Sequence, residues 1–166
     1  MNDVRPCRAD ELERMLAVVN AAAEAYRGVI PDDCWREPYM PFDELAHAIA
    51  SGVAFWGYEM KGALAGVMGI QRVQDVDLIR HAYVLPELQG HGIGRELLTH
   101  LQSLSTGTML VGTWADATWA IRFYEKHGFA LVSAERKAAL LERYWAVSPR
   151  QIETSVVLER SSSAAP

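Results

Sequence analysis

The sequence predicts a single domain of the α/β class. The chain has 166 residues, 50% of them hydrophobic and 22% charged, which is the composition of one globular domain with one core. Segments with helical periodicity alternate with short β-rich runs, and no linker or repeat interrupts them. We therefore expect one domain at residues 2–160 and a disordered tail at residues 161–166, which contain nothing that could pack.

The N-terminal half predicts two helices and a hairpin. Apolar residues recur on one helical face from Leu12 to Val19. Asp10 and Glu13 have the spacing of a capping box for this first helix. Three prolines exclude one long helix at residues 26–41. The predicted elements are helices at 10–25 and 43–50 and antiparallel strands at 53–58 and 63–71.

The C-terminal half alternates strands and helices. Asp116 can cap a helix that Gly128 then ends in a left-handed conformation. Residues 151–158 alternate between apolar and polar side chains, which indicates a strand with one buried face. The predicted elements are strands at 77–85, 109–114, 129–132 and 151–158 and helices at 95–101, 116–126 and 134–144.

Charge and cysteine content exclude several classes of function. The net charge of −5 provides no general positive field for nucleic acid or an anionic membrane. Cys7 and Cys34 form no CxxC pair and have no regularly spaced histidine nearby, so we expect no metal. The chain has no run of eighteen apolar residues and no signal peptide at its start, so we expect a soluble, cytoplasmic protein.

A glycine-rich turn lies between a predicted strand and a predicted helix, with the sequence Gln89-Gly90-His91-Gly92-Ile93-Gly94. The first N–H groups of a helix lack partners, so such a turn can hold an anion, although a tight turn without a ligand is the alternative. Arg95 and Leu97 occupy the positions where a dinucleotide fingerprint needs its third glycine. A Gly-Lys-Ser/Thr phosphate loop is also absent from the sequence.

Two blocks resemble the motifs of the GNAT family of N-acetyltransferases. The pattern Gln89-x-x-Gly92-x-Gly94 follows a strand and is similar to the acyl-CoA-binding signature of that family. Residues 120–129, with the sequence AIRFYEKHGF, are similar to a later family motif. The resemblance implies a GNAT fold, in which a mixed, mostly antiparallel sheet has a splayed strand and flanking helices.

The activity implied by the resemblance is acetyl transfer from acetyl-CoA to a primary amine of a small molecule, which attacks the thioester directly. A noncatalytic acyl-CoA-binding or sensing domain and a protein-directed acetyltransferase are the alternatives. The implied cofactor-binding residues are Ala82, Tyr83, Val84, Gln89, Gly90, His91, Gly92, Ile93, Gly94 and Arg95. Among them, backbone amides of the turn would bind pyrophosphate, the strand would pair with pantetheine, and the Ala82 amide would polarise the thioester.

Tyr124 matches the tyrosine that serves this family as a general acid for the leaving thiolate. Its alternative role is that of a core residue packed on Phe123. The proton acceptor is less defined, because Leu78 occupies the position at which relatives carry a base. His81 has a suitable intrinsic pKa, but strand alternation turns it to the other face unless a bulge intervenes. Removal of the proton by water, ending on Glu24 or Asp77, is the alternative.

The acceptor pocket is expected to be aromatic and acidic. Asp32, Asp33 and Glu37 would suit a cationic amine, unless they are only solvated. Trp35 and Tyr39 could instead simply pack the loop onto the sheet. The aromatic candidates are Tyr26, Trp35, Tyr39, Trp56 and Tyr144.

Two further expectations come from the family. Ala117 stands where the family often has asparagine, so one hydrogen bond at the helix start would be lost or supplied by Asp116 or Thr118. The strand at residues 151–158 is a candidate edge, through which we expect a homodimer.

Overall fold

The fold is a seven-stranded sheet flanked by helices, seen in a computed structural model that describes residues 3–161. The strands are β1 (Asp3–Pro6), β2 (Ala54–Met60), β3 (Ala63–Val73), β4 (Val76–Val84), β5 (Thr108–Trp114), β6 (Ala130–Leu131) and β7 (Ser155–Arg160). The helices are α1 (Leu12–Ala23), α2 (Phe42–Ala50), α3 (Ile93–Leu104), α4 (Thr118–Glu125), α5 (Ala134–Tyr144) and α6 (Pro149–Thr154). Residue 2 and residues 162–166 of the predicted tail lie outside the described residues.

The sheet is mixed and mostly antiparallel, which confirms the predicted fold class. Its strand order is β1-β2-β3-β4-β5-β7-β6. The β4–β5 pair is parallel, whereas the other neighbouring strands are antiparallel. None of the helices in the described chain has the length and apolar character that crossing a membrane requires.

Helices cover both faces of the sheet. Adjacent Val67 and Met68 on β3 belong to two different buried clusters, because successive strand residues point to opposite faces. Met68 packs with α3 residues such as Leu97, whereas Val67 packs with α1 residues such as Val19. Helix α5 covers a third cluster, through Leu141.

The central strands β4 and β5 diverge. Their parallel pairing begins at Val76 with Thr108 and ends at Ile79 with Val111. Beyond that point β4 continues to Val84, still paired with β3 on its other side. The two strands therefore open into a gap, and backbone groups of residues 80–84 face it without a partner from β5.

A β-bulge lies at the point where the gap opens. Val67 pairs with Tyr83, and Gly69 pairs with Arg80, so β4 contains one extra residue between these pairs. His81 takes up the extra length with φ of 56°, in the left-handed region. A Cβ on Gly69 would lie 2.9 Å from the Arg80 carbonyl oxygen, so the bulge is accommodated by a residue without a side chain.

The predicted strand at residues 151–158 is wrong in its first half. Ser148 accepts a hydrogen bond from the Gln151 amide, and the Gln151 side chain accepts one from the Ser148 amide, forming a capping box for α6. Pro149 at the first position favours the same helix. The following strand β7 lies between β5 and β6, so it is not an edge of the sheet.

The other predicted elements are present, with small shifts at their ends, and one strand was missed. β1 at the N-terminus pairs with β2 and forms one edge of the sheet, while β6 forms the other. The capping box before α1 uses Glu11, whose carboxylate accepts a hydrogen bond of 2.6 Å from the Arg8 amide, instead of Asp10 and Glu13.

Candidate active site

The glycine turn leads directly into α3. Gly90 and Gly92 have φ of 84° and 81°, a conformation that L-residues rarely adopt. Gly92 is the N-cap of α3, and its carbonyl accepts the Glu96 amide. The amides of the first helical turn, from Ile93 to Arg95, precede that bond and have no acceptor within the helix. The predicted anion-binding geometry is therefore present in the backbone.

Side chains of the turn fold back onto its own backbone. The His91 Nδ1 lies 3.0 Å from the Leu88 carbonyl oxygen and 3.2 Å from that of Gln89. The Gln89 side chain donates to the Val84 carbonyl at 3.3 Å. These contacts fix the shape of the turn.

A cleft of about 420 Å³, which we call the turn cleft, runs from the glycine turn toward the diverging strands. It lies between β4, the start of α3 and α4, and the end of α1 closes one side. Its described lining includes Ala82, Tyr83, Val84, Gln89, Gly90, Gly92, Ile93, Gly94, Arg95, Trp119, Phe123 and Tyr124. The cleft thus brings together most of the predicted cofactor-binding residues.

A second cavity of about 230 Å³, which we call the splay cavity, fills the gap between β4 and β5. Its polar lining includes Tyr26, Tyr39, Arg80, His81, Tyr83, Thr113, Tyr124, Gln151 and Ser155. Tyr26, Ala82, Tyr83 and Tyr124 line both the splay cavity and the turn cleft. The two spaces therefore meet at these four residues.

Tyrosines surround this junction. Tyr83 donates a hydrogen bond of 3.2 Å to the Tyr39 hydroxyl, and the Tyr26 ring lies 6.4 Å from the Tyr83 ring. Burial raises the pKa of Tyr26 to about 12 and that of Tyr83 well above the ordinary tyrosine value. The phenols of Tyr26 and Tyr83 are therefore available as neutral hydroxyls near pH 7.

Tyr124 is buried in α4 and combines packing with access to both spaces. Its ring makes edge contacts with Phe123 at 5.2 Å and Phe129 at 5.6 Å. Burial raises the pKa of its phenol, so the hydroxyl keeps its proton at neutral pH. The aromatic packing of the alternative interpretation is present, and the residue also borders both spaces.

His81 faces the splay cavity because of the bulge. Its ring stacks on Phe55 at 5.9 Å, and Phe55 belongs to the cluster beneath α1 and α2, to which Tyr83 also packs. Burial, with a smaller contribution from the charge of Arg80, lowers the pKa of His81 to about 4. The imidazole is therefore neutral at pH 7.

Three of the predicted acceptor aromatics lie elsewhere. Trp56 packs on the His100 ring at 4.1 Å, and Trp35 donates to the Glu37 carboxylate at 2.8 Å. Tyr144 donates to Asp75 at 2.6 Å. None of the three aromatics lines either space in the described chain. Tyr26 and Tyr39 alone among the five candidates line the splay cavity.

The predicted acidic wall is also absent from the splay cavity. Asp33 pairs with Arg150 at 2.9 Å, and Glu37 pairs with Arg27 at 2.6 Å. Asp32 is exposed and does not line the cavity. The acids of this loop are thus solvated or paired, as in the alternative interpretation.

Neither predicted acidic proton acceptor reaches the cavity. Glu24 pairs with Arg27 at 2.8 Å on the surface. Asp77 accepts a hydrogen bond of 2.6 Å from Ser105, at the end of β4 that remains paired with β5. A water route ending on either residue has no support in this geometry.

The start of α4 departs from the family pattern as expected from the sequence. Ala117 is the N-cap and is fully buried, and no side chain caps the helix there. Of the two expected outcomes, the structure therefore shows the loss of this hydrogen bond and no replacement by Asp116 or Thr118.

Sequence reasoning missed several lining residues. Trp119 lies one residue before the second motif block and packs on Tyr26 at 5.2 Å, so its position next to the block was an available signal. Thr113 and Gln151 also line the splay cavity. Their position there depends on the order of the strands in the sheet, which no local sequence pattern predicts. Within residues 3–161, no group of three or more His, Cys, Asp or Glu residues could hold a metal ion.

Comparison with known proteins relates this geometry to a family. Residues 51–131 match the family model described as an acetyltransferase (GNAT) domain, and this span contains the glycine turn and Tyr124. The matched residues therefore indicate an acetyltransferase and are similar to the domain of the GNAT family. No curated protein sequence matches the chain.

Solved structures share the whole fold at low sequence identity. The PaiA N-acetyltransferase from Thermoplasma acidophilum, in complex with coenzyme A, is 16% identical, with a TM-score of 0.75 over 97% of this chain and 99% of that one. A GNAT-family acetyltransferase from Staphylococcus aureus is 15% identical, with a TM-score of 0.73 over 98% and 99%. A ribosomal-protein-alanine N-acetyltransferase from Brucella melitensis is 16% identical, with a TM-score of 0.67 over 96% and 99%.

Proposed function

We propose that this protein transfers an acetyl group from acetyl-CoA to the primary amine of a small molecule. The observation that carries the proposal is the meeting of the turn cleft and the splay cavity at Tyr26, Ala82, Tyr83 and Tyr124. A donor lying in the turn cleft would place its thioester at this junction, where an amine in the splay cavity can reach it. Such an arrangement suits direct attack, because both reactants are held together.

The donor occupies the turn cleft. Its pyrophosphate binds the amides from Gly92 to Arg95, where the helix dipole also favours negative charge. The pantetheine arm runs along residues 82–84, whose backbone lacks a β5 partner. The coenzyme A complex of the Thermoplasma acidophilum structure, which has the same fold, supports this assignment.

The thioester is activated by the Ala82 amide and by Tyr124. The amide donates to the carbonyl oxygen as negative charge develops on it. Tyr124 donates its phenolic proton to the leaving thiolate, and the raised pKa of the phenol keeps that proton in place until the thiolate forms.

The amine proton leaves through the splay cavity. His81 is the imidazole that lines this cavity in the described chain, and it is neutral at pH 7. A pKa of about 4 makes His81 a weak base, so we assign it the role of passing the proton to water.

The size of the splay cavity supports a small acceptor. Its volume of about 230 Å³ is below the usual range for sites of drug-sized ligands. The two alternative functions are transfer to a protein and noncatalytic binding of acyl-CoA. One experiment distinguishes both of them from transfer to a small amine.

The test combines binding with turnover. Calorimetry measures acetyl-CoA binding, and chromatography measures CoA release with small primary amines, with an unstructured peptide bearing a free N-terminus, and without an acceptor. We expect release that depends on a small amine. Tight acetyl-CoA binding without release by any acceptor would establish a noncatalytic domain, and release by the peptide alone would establish a protein-directed enzyme.

A further inference from the structure

The charge of the splay cavity is opposite to the one that a cationic substrate would need. Arg80 lines the cavity, and no aspartate or glutamate of the described chain does. His81, the neighbouring titratable group, is neutral at pH 7. The cavity therefore carries a net positive charge next to the site of transfer.

Arg80 is a partly buried guanidinium without an ion-pair partner in the described residues. Its Nη1 donates a hydrogen bond of 3.0 Å to Gln71 Oε1, which is a neutral acceptor. Glu44 is the acid whose charge acts on Arg80, but it already pairs with Arg36 at 2.9 Å. Burial lowers the pKa of Arg80, which shows that its positive charge is incompletely solvated.

Arg5 is another partly buried arginine, but its guanidinium has carboxylate partners. Its guanidinium contacts Glu11 at 2.7 Å and Glu59 at 2.9 Å, so its charge is neutralised within the fold. Arg80 has no equivalent carboxylates around it in the described chain, and it lies in a cavity open to a ligand. A partly desolvated charge gains most from an anionic partner that binds there.

We infer that the acceptor carries a carboxylate close to its amine, and that Arg80 binds this carboxylate in the splay cavity. The inference rests on the proposed function and names its substrate class as small amino acids. Arg80 and Ala82 flank the bulge at His81 and both line the splay cavity. In an acceptor that fits this cavity, the amine and the carboxylate are separated by only a few bonds within one small molecule.

This substrate class replaces the cationic amine expected from the sequence. The carboxylates that favoured a cation, Asp33 and Glu37, are paired outside the cavity. The N-terminus of a protein does not fit either, because its amine is followed by a neutral peptide group instead of a carboxylate.

The experiment compares acceptors that differ only in the acidic group. Initial rates of CoA release are measured with an amino acid, its carboxamide and the corresponding simple amine, for example β-alanine, β-alaninamide and propylamine, and with an α-amino acid series. We expect kcat/KM for the amino acid of at least one series to exceed that of its amide by about ten- to a hundredfold, the range for a hydrogen bond to a charged group.

Variants assign this preference to Arg80. Arg80→Gln should abolish the contrast between acid and amide, mainly by raising KM for the acid, while Arg80→Lys should retain part of it. Arg14→Gln, on the exposed face of α1, is the matched control and should leave the contrast unchanged. Calorimetry with acetyl-CoA shows that each variant is folded and binds the donor.

Two results would overturn the inference. The first contradicts only the carboxylate assignment, and the second also contradicts the proposed function. Equal or better turnover of amides and simple amines, or a contrast that persists in Arg80→Gln, removes the carboxylate assignment and leaves the acetyltransferase in place. Donor binding without turnover of any acceptor removes the proposed function together with the inference.

Discussion

Tyr124 is the residue in which packing and chemistry are most directly joined. Its ring is held by Phe123 and Phe129, while its position borders both the turn cleft and the splay cavity. Removing only the hydroxyl keeps the packing, so Tyr124→Phe should reduce kcat by roughly ten- to a thousandfold. Acetyl-CoA affinity should stay within a few fold of the wild-type value, because the hydroxyl contributes at the transition state.

The control for this substitution is Tyr144→Phe. It also removes the hydroxyl of a buried tyrosine, but one that bonds to Asp75 outside both spaces. Steady-state rates of CoA release and calorimetric affinities are compared for the two variants. Wild-type kcat in Tyr124→Phe would end the assignment of the general acid.

The lowered pKa of His81 makes the free energy of unfolding depend on pH. The folded protein holds this imidazole with a pKa of about 4, whereas the unfolded chain has an ordinary value near 6.5. Between these values the unfolded state binds a proton that the folded state does not, so the free energy of unfolding falls as the pH is lowered from about 6.5 to about 4. The contribution of this group is at most about 3–4 kcal/mol.

The pH effect is measured by urea unfolding at several pH values between 4.5 and 7. His81→Asn is the suitable variant, because asparagine does not titrate and tolerates the left-handed φ of 56°. We expect its stability to fall less with decreasing pH than that of the wild type. The exposed His47→Asn variant is the control, and an identical pH dependence in wild type and His81→Asn would contradict the prediction.

At the scale of the element, the glycine turn and α3 can be tested with a matched pair of glycines. Gly92 and Gly62 share φ of 81°, so Gly→Ala at either position should cost about 1–2 kcal/mol of stability through backbone strain. Only Gly92 lies in the turn cleft, next to the amides proposed for pyrophosphate. Gly92→Ala should therefore weaken acetyl-CoA binding by about tenfold or more.

Calorimetry and denaturant unfolding separate the two effects. Gly62→Ala, in the turn between β2 and β3, should lose similar stability and bind acetyl-CoA with unchanged affinity. Equal affinities in both variants would show that the phosphate does not approach the backbone at Gly92.

Elements were predictable from the sequence wherever one local signal dominated. Helix α3 follows from its glycine turn and from apolar residues on one face, of which Leu97, Leu98 and Leu101 are fully buried. The alternation after Gln151 resembled a strand, but the capping box with Ser148 and Pro149 dominates and forms α6. β1 has only four residues, too few for a periodic signal.

The donor side of the site was predictable because its residues are contiguous in the sequence. The acceptor side was not, because the face to which a β4 residue points depends on the bulge at His81. That bulge requires Gly69 on the neighbouring strand, which is a tertiary condition. Three of the five aromatic candidates lie outside the cavity for a separate tertiary reason; Trp56 on β2, for example, packs on His100 of α3.

At the scale of the whole molecule, a bound donor would contact three elements at once and so stabilise the folded state. A ligand in the turn cleft contacts β4, the start of α3 and α4 together. Binding to the folded state alone stabilises it by about 2.7 kcal/mol at a ligand concentration of one hundred times Kd. For a chain of 166 residues this corresponds to a rise in Tm of roughly 5–10 °C.

Differential scanning calorimetry with increasing acetyl-CoA measures this rise. Gly92→Ala should show a smaller shift at the same ligand concentration, because its affinity is lower. A Tm that does not change with acetyl-CoA, at concentrations that calorimetry shows to be saturating, would contradict folded-state binding as the source of stabilisation.

The ion pair between Asp33 and Arg150 joins segments that lie 117 positions apart in the sequence. It lines a pocket that shares Tyr39, Trp114 and Gln151 with the splay cavity. Part of the acceptor side is therefore built by the loop at residues 32–41 and by α6, and neither segment is among the described residues that line the turn cleft. Exchanging these two segments between relatives is a route to engineered specificity that leaves the donor machinery, and Arg80 on β4, unchanged.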